Sequence, residues 1–176
     1  HQSLTKPFGK KFMSFVLCIC MLTAMLSAMP INAFAATSGT CGDNLTWTLD
    51  DEGTLIISGT GDMWDWSWYN ELWHNTRESI KTVIIQNGVT SIGNRAFYDC
   101  ESLTSINIPN GVTSIGEYAF GDCKSLASIT IPNGVTFIGD DAFCLCQNLT
   151  SVNIPNSVTS IGEYAFGDCK SLASIT

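Results

Sequence analysis

The sequence contains few positive charges: there are 8 Lys and Arg among 176 residues, against 16 Asp and Glu. Charged residues make up only 14% of the chain, whereas apolar residues make up 45%. Binding to nucleic-acid phosphates requires clustered Lys and Arg, so this composition argues against a nucleic-acid partner. The high apolar content argues against intrinsic disorder. The length suits one domain or a short repeat array.

Histidine is also scarce, with only His1 and His74 in the whole chain. A catalytic triad would need His74 beside a Ser and an acid, and no motif provides that arrangement. No EF-hand or nonapeptide calcium loop is present. We therefore expect no catalytic residue, no metal site and no cofactor, and classify the chain as a non-enzyme.

The N-terminal segment has the pattern of a signal peptide. Three lysines precede an uncharged run over 12–29, and the small-residue motif A-F-A follows at 33–35. This pattern predicts a signal peptide over 1–35 with cleavage after Ala35. The alternative is an uncleaved anchor, because a run of 18 uncharged, mostly apolar residues is just long enough to span a bilayer. Cleavage would leave 5 basic and 16 acidic residues, a formal charge of −11, on a secreted or cell-surface protein.

The rest of the chain repeats with a period of 23 residues. Residues 103–125 read LTSINIPNGVTSIGEYAFGDCKS, and residues 149–171 read LTSVNIPNSVTSIGEYAFGDCKS. The same frame fits 80–102 and 126–148, and a partial copy occupies 172–176. Such a short period is typical of a solenoid, because one unit cannot bury its own apolar face and stacked units can.

The repeats share the consensus pattern L-x-x-I-x-I-P-x-x-V-x-x-I-G-x-x-A-F-x-x-C, with the proline at positions 109, 132 and 155. The alternating L-x-x-I-x-I part predicts a short strand that Pro ends. The A-F-x-x-C part predicts one inward-facing helical or 3-10 turn, because positions i and i+4 share a helix face. The Phe and Cys columns are therefore expected to be structural: Phe97, Phe120, Phe143, Phe166, Cys100, Cys123, Cys146 and Cys169.

This motif resembles the BspA-like leucine-rich repeats of bacterial surface proteins. The resemblance covers residues 80–176. It implies an α/β, strand-rich, right-handed solenoid with parallel concave strands and short convex helical or 3-10 turns. It also implies adhesion or protein binding rather than catalysis, although the fold alone does not fix a ligand.

Residues 36–79 are expected to form an N-terminal β cap. The alternating segments 45–49 and 54–58 flank the turn sequence DDEG, which predicts a β-hairpin. The sequence SGTCGDNLTWTLDDEGTLIISGTGDM over 38–63 is similar to a leader found ahead of such repeats in exported bacterial proteins. A solenoid needs such a cover, because its first turn otherwise exposes the core and a strand edge.

Four of the five tryptophans lie between Trp64 and Trp73. One interpretation is that their rings cover the end of the solenoid core, because large aromatic side chains bury the most area. The other is an aromatic platform for sugars, since Trp64, Trp66 and Trp68 would share one side of an extended segment.

The Cys column is interpreted as small buried apolar side chains rather than a zinc site, because residues spaced 23 apart stack in a line and do not converge. Cys144 lies outside the column, and Cys41 lies in the leader. These two are expected to be the exposed or paired thiols.

The ligand surface is expected at the exposed positions of the concave strands, which are small, polar and nearly uncharged. Its predicted residues are Thr104, Ser105, Asn107, Ser128, Thr130, Thr150, Ser151 and Asn153. The alternative is a face coated with good strand formers that binds nothing. Phe137 replaces Ser in another column and is a further candidate contact.

These observations favour a secreted or cell-surface, adhesin-like module that binds a protein on a host or neighbouring cell. The alternatives are a carbohydrate-binding module that uses Trp64–Trp73 and a spacer in a larger surface protein. The partial copy at 172–176 also suggests a fragment, or self-association through an open C-terminal turn.

Overall fold

A computed structural model of the chain describes residues 37–68, 72–73 and 75–176. The predicted signal peptide over 1–35 and His74 lie outside the described residues. The strands are β1 (Thr37–Gly42), β2 (Leu45–Leu49), β3 (Thr54–Gly59), β4 (Gly61–Asp62), β5 (Thr82–Ile85), β6 (Val89–Ile92), β7 (Ser105–Asn107), β8 (Ser114–Ile115), β9 (Ser128–Thr130), β10 (Phe137–Ile138), β11 (Ser151–Asn153), β12 (Ser160–Ile161) and β13 (Ser174–Ile175).

The repeats stack as a strand-rich β-solenoid of about four turns, as predicted. Strands β5, β7, β9, β11 and β13 each begin one turn, and their paired residues lie 23 apart: Val83 pairs with Ile106, and Ile129 with Val152. All of these pairings are parallel. Identical apolar columns thus stack on themselves, which buries a face that one repeat would leave in water.

Each turn contains a second short strand that the sequence analysis did not predict. Strands β4, β6, β8, β10 and β12 form one parallel sheet, in which Ile115 lies beside Ile92 on one side and Ile138 on the other. The sequence predicted only that these positions are apolar. Thr113 and Thr136 reinforce this sheet, because each hydroxyl donates to the Thr carbonyl one turn earlier, at 3.1 and 3.2 Å.

The predicted leader hairpin is present. Strands β2 and β3 pair antiparallel, and the turn between them closes with the Thr54 N–H donating to Asp50 Oδ1 at 2.7 Å. Gly53 is required in this turn, because its φ is +88° and a Cβ atom would lie 2.3 Å from the Ser79 carbonyl oxygen. Strand β3 then pairs in parallel with β5, so the hairpin shares a sheet with the first repeat. Its role as a cap stays a prediction.

The A-F-x-x-C segments are not helices, which corrects the prediction of convex helical or 3-10 turns. In the described part of the chain, the one 3-10 helix is Arg77–Ser79, before the first repeat strand. Each segment is a series of turns that contains one left-handed residue and directly follows another, whereas a helix needs a φ near −60° throughout. The left-handed residues are Arg95, Asp99, Tyr118, Asp122, Asp141, Leu145, Tyr164 and Asp168.

Backbone hydrogen bonds in these segments alternate between two kinds of partner. Tyr98 and Cys100 donate to carbonyls three residues earlier within the same turn of the solenoid. Phe97 instead donates to the Ala119 carbonyl of the next turn at 2.8 Å, and Phe120 donates to Ala142 at the same distance. The segments therefore satisfy their backbone without a helix and tie successive turns together.

The core is a stack of phenylalanine rings, as the Phe column predicted. Phe97, Phe120 and Phe143 have no exposed surface. Their ring centroids lie 5.3 and 5.2 Å apart, and the rings are within 14° of parallel. Trp73 extends the stack at one end and the half-buried Phe166 at the other. The rings thus form one continuous apolar column through all four turns.

The ladder of first strands is interrupted between β7 and β9. Strand β7 is hydrogen-bonded to β5, and β9 to β11, but β7 and β9 belong to different sheets. The sheet of second strands and the Phe column both continue across the same boundary. Ile106 is half-buried here, whereas its equivalents Val83 and Val152 are at most 1% exposed.

Candidate functional site

The outward surface of β5, β7, β9 and β11, with the residue that precedes each strand, is here named the strand face. All eight predicted ligand residues are exposed on it: Thr104, Ser105, Asn107, Ser128, Thr130, Thr150, Ser151 and Asn153. The structure therefore brings the predicted residues together on adjacent turns. The inward residues between them are apolar, as the alternation requires.

Side-chain hydrogen bonds order part of this face. The Thr104 hydroxyl donates to the Lys81 carbonyl at 3.0 Å, and the Thr150 hydroxyl donates to the Ala127 carbonyl at 3.2 Å. Lys81 is the one charged residue among the outward positions of the strand face. The outward surface of β7, β9 and β11 therefore presents mostly short, neutral hydroxyl and amide groups over three turns.

The tryptophan segment divides between the core and the surface. Trp73 is 3% exposed and stacks on Phe97, so it contributes to the core as the first interpretation predicted. Trp66 is half-buried and packs against the core, whereas Trp64 and Trp68 are 41% and 48% exposed. The Trp64 and Trp66 rings meet at 64°, so they do not form a flat platform.

Trp68 belongs to an aromatic cluster that sequence reasoning missed. Its ring lies 4.9 Å from Tyr98 and 5.3 Å from Tyr118 in edge-to-face geometry. The Arg95 guanidinium lies over both the Trp68 and Tyr118 rings, at 4.4 and 5.1 Å, and pairs with Glu117 at 2.8 Å. Tyr98 and Tyr118 occupy different positions of the repeat, so no comparison of columns would have found the cluster. Its cation–π contacts attach the leader to the first two turns.

Three acids come together outside the strand face: one ligand atom from each of Asp99, Glu101 and Asp122 lies within 4.8 Å of the others. Side-chain cations already occupy this cluster. Arg77 contacts Asp99 at 3.0 Å, and Lys124 contacts Glu101 at 2.5 Å and Asp122 at 3.5 Å. Burial raises the pKa of Asp99, partly offset by Arg77. The group is therefore an ion-pair network that links two turns.

The Cys column is buried, as predicted. Cys100, Cys123 and Cys146 have no exposed surface, and Cys169 is half-buried. The Cys123 thiol donates to the Phe97 carbonyl at 3.3 Å, and Cys146 repeats this contact with Phe120 at 3.2 Å. Burial raises the pKa of Cys123 well above its ordinary value. These thiols are consequently poor nucleophiles.

The prediction for the other two thiols was wrong: both Cys41 and Cys144 are buried and free. Cys41 lies in β1 within the apolar core, and Cys144 is 6% exposed beside Gly121. Burial raises the pKa of Cys41 to about 11 and that of Cys144 to about 12. The sequence analysis expected Cys144 to be exposed because it lies in a variable column. It is buried because Gly121, in the preceding turn, leaves room for its side chain.

Comparison with known proteins identifies the repeat class. The family model for the BspA type leucine rich repeat region matches residues 69–176 in six copies. That match covers more than half of the chain, and its repeats are those whose strands form the solenoid. The chain belongs to the BspA-type leucine-rich-repeat family.

Solved structures with this fold come from several bacteria. A leucine-rich repeat protein from Eubacterium ventriosum is 33% identical, with a TM-score of 0.70, over 81% of this chain and 40% of that chain. The Treponema pallidum leucine rich repeat protein is 28% identical, with a TM-score of 0.61, over 84% and 71%. A leucine rich cell surface protein from Faecalibacterium prausnitzii is 30% identical, with a TM-score of 0.59, over 77% and 38%.

This chain thus spans about two fifths of the Eubacterium protein's length. A search of curated protein sequences found no match. Among the described residues, no helix is both long and apolar enough to cross a membrane.

Proposed function

We propose that the chain is a secreted or cell-surface, adhesin-like module that binds a protein on a host or neighbouring cell through the strand face. The observation that carries this proposal is the exposure of all eight predicted residues on adjacent parallel strands. Such a wide, neutral surface suits an extended protein partner better than a small molecule, which usually binds in an enclosed apolar pocket.

The surface location rests on two supports. The N-terminal segment has the pattern of a signal peptide, and the Faecalibacterium relative is described as a leucine rich cell surface protein. We expect the exported protein to begin at Ala36, and N-terminal sequencing of secreted material tests this. Exported protein that still carries residues 1–35 would contradict cleavage.

The binding role is tested with beads that carry the purified protein and are applied to cultured epithelial cells. We expect adhesion that trypsin treatment of the cells abolishes. A triple variant, Thr104→Asp, Ser128→Asp and Ser151→Asp, should lose adhesion, because a partner would have to desolvate three new charges.

The matched control adds the same charge at exposed positions outside the strand face, with Asn75→Asp, Asn148→Asp and Ser171→Asp. It should adhere like wild type. Equal adhesion of the strand-face variant and wild type would overturn the assignment of the face.

A carbohydrate ligand is the second candidate, favoured by the exposed rings of Trp64 and Trp68. A glycan array compares wild type with the Trp64→Ala and Trp68→Ala double variant. Glycan binding that the variant loses would support this candidate, while adhesion unchanged in the variant would favour the strand face.

A further inference from the structure

A shallow depression of about 380 Å³ opens at one end of the strand face, where the first two turns meet. Its lining combines the half-buried Ile84 with three residues that have carboxamide side chains, and it includes no charged or aromatic residue, while the Ile85 side chain is only 1% exposed. The lining residues are Ile84, Ile85, Gln86, Asn87 and Asn107.

The depression arises where the first turn departs from the repeat. In the outward position of Ile84, the later turns have Asn107, Thr130 and Asn153. In the position of Gln86, the later turns have proline. The inward residues of the first strand keep the apolar pattern, so the core does not require either departure. Ile84 is half-buried beside Ile56 of β3, and the apolar surface that it still exposes is a cost in water unless a partner covers it.

The backbone around the depression is held in place. The Gln86 N–H donates to the Ile57 carbonyl at 2.9 Å. Gly88 has a φ of +110°, and a Cβ atom there would lie 2.4 Å from the Gly59 carbonyl oxygen, so the loop fits closely against the leader. The backbone that carries the carboxamide side chains is therefore already ordered, which lowers the conformational entropy lost on binding.

We propose that this depression is a specificity pocket, and that it receives an apolar side chain from an extended, uncharged peptide segment of the partner. The inference rests on the proposed function of the strand face. Ile84 provides the apolar floor, and Gln86, Asn87 and Asn107 provide both donors and acceptors, which match the N–H and C=O groups of a peptide backbone. A sugar would be expected to use an aromatic ring, and none of the five lining residues has one.

The test uses an array of decapeptides with Ser, Thr and Gly flanks and a single central residue, either Leu, Ile, Met, Gly, Asp or Lys. We expect wild type to bind the Leu, Ile and Met peptides at least tenfold more tightly than the Gly, Asp and Lys peptides. Ile84→Asn should remove this preference, because the apolar floor is lost. The variant should fold, since β7 and β11 already have Asn at this position.

The matched control is Thr130→Asn, which makes the corresponding change two turns away and should leave the preference intact. Methyl NMR gives a direct readout: the Ile84 δ1 signal should shift on titration with the Leu peptide. If the Ile84→Asn variant keeps the apolar preference, the pocket proposal is wrong. The strand-face proposal would still stand in that case, provided that the triple Asp variant does not adhere to cells. A wild-type protein that adheres to cells but shows no preference among the peptides would also overturn the pocket.

Discussion

The A-F-x-x-C segments, here named the closing segments, keep the same residues from turn to turn, whereas the strand face varies between turns. At the centre of every closing segment the same ring returns, as Phe97, Phe120, Phe143 and Phe166, and the rings stack at nearly constant spacing. On the strand face, one outward position changes freely between Ile84, Asn107, Thr130 and Asn153. When repeats stack, the side chains that lie between successive turns must fit one another, whereas outward side chains are free to vary. Together with the proposed function, this places stability in the Phe column and assigns recognition, as a proposal, to the strand face of the same 23 residues.

The largest expected effect is on the Phe column. Phe120→Ala should lower the free energy of unfolding by about 3–5 kcal/mol, because it removes a fully buried ring that stacks on two others. Urea denaturation measures the loss. Phe137→Ala is the matched control, since this ring is 43% exposed, and it should change stability by no more than about 0.5 kcal/mol. Equal losses in both variants would contradict the division between the two regions.

The Cys column should show a smaller effect of the same kind. Cys123→Ser should cost about 1–3 kcal/mol, because a hydroxyl replaces a weakly polar thiol in a fully buried apolar site. Cys169→Ser, at a half-buried position, should cost less. Thiol labelling of native and denatured protein gives an independent check, and rapid native labelling of Cys123 would show that the column is not core.

The raised thiol pKa values predict a loss of stability in alkaline solution. The ordinary pKa is 9.0, and burial raises that of Cys41 to about 11 and that of Cys144 to about 12. Above pH 9 the unfolded chain releases thiol protons that the folded chain keeps. The contribution is therefore complete below pH 9 and is lost as the pH rises through 11 and 12.

Each thiol that stays protonated only in the folded state lowers the free energy of unfolding by at most about 1.4 kcal/mol per pH unit. Urea midpoints between pH 7 and 10.5 measure this slope. Cys41→Ala removes one such group and should flatten the profile, and an unchanged profile would show that the Cys41 thiol ionises equally in both states.

The smallest effect is expected on the strand face. Ser128→Ala removes an exposed hydroxyl and should change the free energy of unfolding by no more than about 0.5 kcal/mol. Urea denaturation of Ser128→Ala and Phe120→Ala in the same experiment compares the smallest and the largest expected losses of stability. A loss above 1 kcal/mol at Ser128 would show that this face contributes to folding.

The sequence predicted the features that a 23-residue stack repeats. The period gave the register of the parallel strands, and the apolar columns predicted the buried residues from Ile80 to Leu149. The hairpin was predictable because its turn chemistry is local. The exposed positions of the strand face followed from alternation alone.

Features that depend on unusual backbone conformations, or on residues that differ from one turn of the solenoid to the next, were not predictable from the sequence. Arg95 and Tyr118 adopt left-handed φ values that their residue types rarely show, so the closing segments suggested a helix. The cluster around Trp68 joins unlike repeat positions, and the depression at Ile84 lies where the first turn departs from the repeat pattern. The break between β7 and β9 has no signature in the repeat pattern.

The most direct test of the account measures folding and binding on two variants of the same protein. Phe120→Ala and the triple variant Thr104→Asp, Ser128→Asp and Ser151→Asp are compared with wild type by urea denaturation and by bead adhesion to epithelial cells. The account predicts that Phe120→Ala lowers the free energy of unfolding by about 3–5 kcal/mol, whereas the triple variant stays within about 1 kcal/mol of wild type and does not adhere. A triple variant that adheres normally, or a Phe120→Ala protein as stable as wild type, would contradict the separation of stability from recognition.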